Sequence, residues 1–228
     1  MLALLPSPLL GPSVWQPADR VLTDQGWATM TCTQAAAART AHDVLDAFVG
    51  GLPPDDELVL IAHSNARAYV PANTSRHRSI IGTVFVDAVL PPTHGHIPLA
   101  PPKFLDFLRS QADADRLLPV WTDWWDEANV AALFPDEETR RQTEREQPRL
   151  PLSHFEGELT VPDGWDNRPA AHLAFGDTYS RERDDAERRQ WPVTTLPGEH
   201  LHPLTIPTQV STALTALLHH LGISHALD

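Results

Sequence analysis

Apolar residues fall along this chain in short unbroken runs. Met1 to Leu5, Leu58 to Ile61, Ile80 to Val86 and Ala170 to Phe175 each read as a strand. Runs without polar alternation suit strands covered on both faces. Trp27 to Thr33 and Trp191 to Leu196 are weaker strand candidates. Between the runs the spacing becomes helical. Val14, Trp15, Ala18, Val21 and Leu22 share one face of a helix over Ser13 to Thr23, with Gly26 as its stop. Val44, Leu45, Phe48 and Val49 do the same over Thr40 to Val49, ended by Gly50-Gly51. A small-residue helix is expected from Ser64 to about Arg76, a charged one from Ser180 to Gln190, and an amphipathic one from Pro207 to Leu221. Strand and helix alternating in this way predict an α/β fold. Its sheet is mostly parallel and carries helices on both faces.

One stretch breaks the alternation. From Thr93 to Pro162 the chain is rich in proline and aromatic residues, with short helical pieces at Lys103 to Ala114 and Asp136 to Glu146, and no sheet-type strand is expected. It leaves from the carboxyl end of the Ile80 strand, where a crossover helix would otherwise start. We therefore read residues 93–162 as a helical lid inserted into a core made of 1–92 and 163–228. Trp121, Trp124, Trp125 and Phe134 are the lid residues expected to line an apolar substrate pocket. The run from Asp136 to Arg141 is expected to be a solvated helix face.

Composition narrows the classes. The 228 residues suit one core with an insertion. A formal charge of −13, with 17 basic against 30 acidic side chains and no basic stripe, argues against nucleic acid. The single cysteine, Cys32, allows no internal disulfide and is expected to be buried. The apolar opening lacks a basic start and meets Pro6 and Pro8 at once, and no run reaches the ~18 residues of a membrane span. The expectation is a soluble cytoplasmic protein. The pattern says nothing of oligomeric state.

The chemistry gathers at strand ends. In Leu58-Val59-Leu60-Ile61-Ala62-His63-Ser64-Asn65-Ala66, an apolar run stops at a small residue, and Ser64 sits at the turn into a helix. A serine there projects its oxygen away from the sheet, and Ala62 and Ala66 leave room for the crowded backbone. The plain alternative is a helix N-cap serine. Asp87 and Asp177 follow two further strands, and His200 follows the last. His94-x-His96 and His200-x-His202 have ligand-like spacing. Without His-Glu-x-x-His or a cysteine cluster, no metal and no other cofactor is expected.

This order resembles the α/β-hydrolase superfamily, in small lidded members with a shortened N-terminus. The resemblance rests on Leu4-Leu5-Pro6-Ser7-Pro8-Leu9-Leu10-Gly11-Pro12-Ser13-Val14-Trp15, the Ser64 turn, Val84-Phe85-Val86-Asp87-Ala88-Val89-Leu90-Pro91, and Trp191 to His202. It implies that Ser64 is the nucleophile and His200 its general base, while the Asn65 amide forms half of an oxyanion hole. For the acid it leaves two positions: Asp87, in the layout of haloalkane dehalogenases, and Asp177, after the penultimate strand, where the family more often has it. Asp87 is preferred. Two departures stand out. Where the family's second oxyanion donor belongs, this chain has Pro8, which carries no N–H, so either Leu9 or Leu10 takes over or the hole is half-built. Glu199 stands beside the base where glycine is usual. The activity implied is hydrolysis of an ester, thioester or lactone of a small molecule with a bulky apolar part. The alternative is a lyase, cyclase or isomerase using Ser64 and His200 as acid and base. A binding protein on the same scaffold would need a broken triad, and here every member has a candidate.

Overall fold

The computed structural model describes residues 1–33 and 38–225. After β1 (Leu2–Leu5) come a 3-10 turn, Pro12–Trp15, helix α1 (Gln16–Asp24), β2 (Thr29–Thr31) and α2 (Ala41–Gly51). Then follow β3 (Leu58–His63), a 3-10 helix over Ser64–Tyr69, α3 (Val70–Arg76) and β4 (Ile80–Val86). The expected single helix after Ser64 is therefore two pieces. Pro71, at the start of α3, suits a first turn and not a helix interior, which fixes the junction.

The inserted segment holds β5 (Gly95–Pro98), α4 (Pro102–Gln111), α5 (Glu127–Ala131), α6 (Glu137–Glu146), α7 (Leu152–Phe155) and β6 (Glu158–Val161). The expectation of no strand here is corrected. β5 and β6 pair antiparallel, from Gly95 with Val161 to Pro98 with Glu158, and tie the segment's entry to its exit. Only Ile97, Leu159 and Val161 of this ribbon turn inward, so its apolar signal is slight. The core resumes with β7 (Ala170–Phe175), α8 (Ser180–Arg188), β8 (Val193–Leu196), α9 (His202–Thr205) and α10 (Pro207–His220).

Six strands form one parallel sheet in the order β2-β1-β3-β4-β7-β8. Side chains alternate between its faces. Leu2, Leu4, Val59, Ile61, Val84 and Leu173 pack with Leu22 of α1 and Leu214 of α10. Ala3, Leu5, Leu58, Leu60 and Phe85 pack with Phe48 of α2 and with the inserted segment. Cys32 is buried in this second cluster. Strand order reverses direction between β1 and β3. The carboxyl ends of those two strands therefore flank the crevice where open α/β sheets bind ligands. No described helix is long and apolar enough to cross a membrane.

Candidate active site

The loop after β1 and the turn after β3 meet at this crevice. Ser64 follows β3 directly with φ of 56°, in the left-handed region. A non-glycine residue held there costs about 1–2 kcal/mol. Asp87, directly after β4, shares this state with φ of 44°. Only two other described non-glycine residues, Arg116 and Gln190, have positive φ. Backbone strain of this kind concentrates at functional sites.

His200 lies on the segment between β8 and α9. Its Nδ1–H donates to Asp87 Oδ2 at 2.6 Å. The other carboxylate oxygen accepts the Phe175 amide at 2.9 Å, so both oxygens of Asp87 are fixed. The Asp87 side chain is 2% exposed against 22% for His200, which places the imidazole between a buried anion and the surface. With Nδ1 carrying the proton, the neutral ring keeps its lone pair on Nε2. Asp177 stands elsewhere: its side chain is 93% exposed and pairs with Arg183 at 3.0 Å. Of the two acids weighed from sequence, Asp87 is the one bonded to His200.

His63 braces His200. It is fully buried, its Nε2–H donates to the His200 carbonyl at 2.9 Å, and the two rings lie 4.7 Å apart. Burial, helped by the nearby His200, pushes the pKa of His63 down to about 3, so the ring is neutral. This contact also brings His200 beside Ser64, the next residue after His63. Among the described residues the Ser64 hydroxyl makes no hydrogen bond, and neither does His200 Nε2. His202 supports the same segment, accepting the Glu199 amide on Nε2 at 3.1 Å and bonding Thr205 through Nδ1 at 3.0 Å.

No protein-family model matches the chain, and no curated relative matches it by sequence. Solved structures do. An extracellular α/β-hydrolase from a Paenibacillus species superposes with a TM-score of 0.73 at 13% identity, over 95% of this chain and 98% of the other. Tomato methylketone synthase I, complexed with 2-tridecanone, gives 0.72 at 13% identity, over 96% and 98%. Polyneuridine aldehyde esterase gives 0.65 at 14% identity, over 95% and 98%. The chain has the α/β-hydrolase fold.

Within this α/β-hydrolase fold the remaining candidates separate. The Asn65 amide is the second of the 3-10 helix and precedes its first i to i+3 bond, so no helical carbonyl claims it. In the loop after β1, the Leu10 amide donates to the Ser7 carbonyl at 2.9 Å. The Leu9 amide meets the Ser7 hydroxyl only at 3.4 Å, a long bond that is easily given up. Trp121 and Trp125 line a cavity of about 340 Å³ together with Val130, Leu133 and Glu199. The Trp121 ring lies 6.2 Å from that of His200. Trp124 and Phe134 are core residues instead. Trp124 packs among Phe104, Phe107 and Phe155, with its indole N–H on the Pro119 carbonyl. Phe134 joins the α1 side of the core. Both are large aromatics in an aromatic-rich segment, and sequence alone does not separate those that hold such a segment together from those that face a ligand.

Sequence reasoning passed over His63, Tyr179 and Arg67. His63 left a signal, a histidine ending an otherwise apolar strand. Tyr179 brings its ring to 6.5 Å from His200 and follows Asp177 by two residues.

Proposed function

We propose that this protein is a serine hydrolase that cleaves an ester, thioester or lactone of a small molecule with a bulky apolar part. The observation that carries the reading is the 2.6 Å bond from His200 to a buried carboxylate, beside a serine held at positive φ on a strand end. Ser64 Oγ attacks the carbonyl carbon while His200 Nε2 takes its proton. Asp87 holds the tautomer and balances the imidazolium. The Asn65 and Leu9 amides stabilise the oxyanion, Leu9 by releasing Ser7. Collapse expels the alcohol or thiol, protonated by His200, and leaves an acyl group on Ser64. A water, deprotonated by the same Nε2, attacks this acyl-enzyme, and breaking the Ser64 ester restores the serine and frees the acid. Ser64 and His200 close to bonding distance as substrate binds. The Trp121 and Trp125 cavity takes the apolar part.

The test is intact-protein mass after exposure to a fluorophosphonate. One adduct, absent in Ser64→Ala, supports an activated serine; a folded protein that takes none overturns the reading.

The second reading, an acid/base lyase, cyclase or isomerase on the same residues, is favoured by one feature. The Leu9 amide already has a partner, which leaves Asn65 as the single unclaimed oxyanion donor. A methylketone synthase stands among the structural neighbours, so the fold accommodates names other than esterase. A 4-nitrophenyl ester series separates the two readings, since turnover across acyl lengths supports hydrolysis.

A further inference from the structure

Three residues beyond Ser64 the 3-10 helix carries Arg67. Arg67 therefore lies about one turn along the helix from Ser64. Arg67 is 6% exposed. Among the described residues no acceptor bonds its guanidinium, although fourteen ion pairs are formed elsewhere. The ionisable groups around it are Tyr179, Glu182 and Tyr69, and the one carboxylate of the three, Glu182, lies beyond ion-pair distance. Tyr179 is the neighbour shared with His200. The guanidinium nitrogens are not among the fully enclosed polar atoms without a partner, so the group faces an opening. Burial lowers its pKa only to about 10, and the charge persists at neutral pH.

A buried cation without a counter-ion is costly, and the ionisable groups around this one are two tyrosines and a carboxylate too far to pair. Stem packing explains a buried arginine whose head reaches water freely or finds an acid. It does not explain a head that keeps so little exposure and finds no acid. A ligand anion does.

We infer that Arg67 is the substrate's anion anchor, and that the ester, thioester or lactone cleaved at Ser64 carries a free carboxylate. The location of the scissile bond rests on the hydrolase reading, whereas the carboxylate site stands on Arg67 itself. A planar monoanion fits the donor set. One guanidinium offers one bidentate fork, the geometry of a carboxylate. A phosphate dianion would bring a second negative charge near Glu182 with a single cation to offset it. The protein's charge of −13 repels anions in general, which leaves Arg67 as a local exception beside the nucleophile.

The experiment compares matched esters: 4-nitrophenyl hydrogen succinate, glutarate and adipate, each against the neutral ester in which an isopropyl group replaces the carboxylate. The quantity read is the ratio of kcat/KM, acidic over neutral, in the native protein, Arg67→Met and Arg67→Lys. Arg67→Met is expected to lower the ratio about tenfold or more for at least one chain length, with Arg67→Lys between. In parallel, glutarate and adipate are titrated calorimetrically into Ser64→Ala, with and without Arg67→Met. Binding that Arg67→Met removes supports the anchor. Equal ratios in all three proteins, or diacid binding that is absent or indifferent to Arg67→Met, overturn it. If no ester is cleaved and no fluorophosphonate adduct forms, the hydrolase reading fails and the titration alone decides the carboxylate site. Circular dichroism checks the fold of each variant, and Arg67→Lys carries the comparison if Arg67→Met does not fold.

Discussion

Replacing Asp87 by asparagine tests the site while leaving its shape nearly intact. The amide keeps one oxygen, which goes on accepting the Phe175 N–H now bonded at 2.9 Å. Its NH2 then faces His200 Nδ1, a position that at present donates at 2.6 Å. Two donors cannot meet, so the imidazole must carry its proton on Nε2 and present Nδ1 as acceptor. The lone pair that should take the Ser64 proton disappears. The same change in a serine protease triad lowers kcat by about 10⁴, or roughly 5 kcal/mol in the barrier. Folding should suffer little, because asparagine tolerates the positive φ of this position and replaces a buried charge by a neutral group of equal size. A loss of about 1 kcal/mol would lower Tm by roughly 2–4 °C. The assay is kcat/KM on a 4-nitrophenyl ester together with the rate of fluorophosphonate labelling, with circular dichroism for the fold. Asp177→Asn is the control and should stay within about twofold, since its side chain meets only solvent and Arg183. Activity of Asp87→Asn within tenfold of native, or an equal loss in Asp177→Asn, would refute the assignment.

Other outcomes follow from the same geometry. Ser64→Gly should be inactive yet melt about 2 °C above Ser64→Ala. Lifting a left-handed strain of about 1–2 kcal/mol outweighs the extra entropy cost of glycine, about 0.5–1 kcal/mol; a lower Tm for the glycine variant contradicts the strain at Ser64. His63→Leu removes the donor to the His200 carbonyl and should lower kcat on the order of tenfold, the worth of one hydrogen bond; unchanged kcat at saturating substrate would show that the brace is idle. Acid should weaken the fold. Burial holds His63 near pKa 3 and His154 and His172 near 4, below the ordinary value of about 6.5. Between those values the unfolded chain binds protons that the folded chain refuses. Their stabilisation is therefore complete above about pH 6.5 and drains away as pH falls toward 4. Urea midpoints at pH 7.5 and 5.0 read this directly, and equal midpoints count against it.

Most of the core was legible because its strands are buried on both faces. Leu58 to His63 and Ile80 to Val86 announce themselves as continuous apolar runs, and their ends locate Ser64 and Asp87. β2 is harder to read, for only Thr29–Thr31 pairs and its side chains are half-buried at the sheet edge. β5 and β6 are a four-residue ribbon with one face outward, too short for periodicity to speak. The choice of acid was open in the sequence because both aspartates follow strands. What separates them is the path of the chain after β8, which returns His200 to β4, and no local pattern encodes that return. The same holds for Arg67: its position is visible in the sequence, but its want of a counter-ion is a property of everything packed around it.

The position of Asp87 directly after β4 has a consequence for how this scaffold can change. On the proposed mechanism, with Asp87, Ser64 and the turn between them encoded in a single 24-residue stretch, chemistry would depend on one compact piece of chain and one distant histidine. The exposed tip of the next loop, Asp177-Thr178, is thereby released from supplying a carboxylate, although Tyr179 beside it still faces His200. It becomes exchangeable material, a place where insertion or randomisation retunes selectivity while the catalytic wiring stays in place.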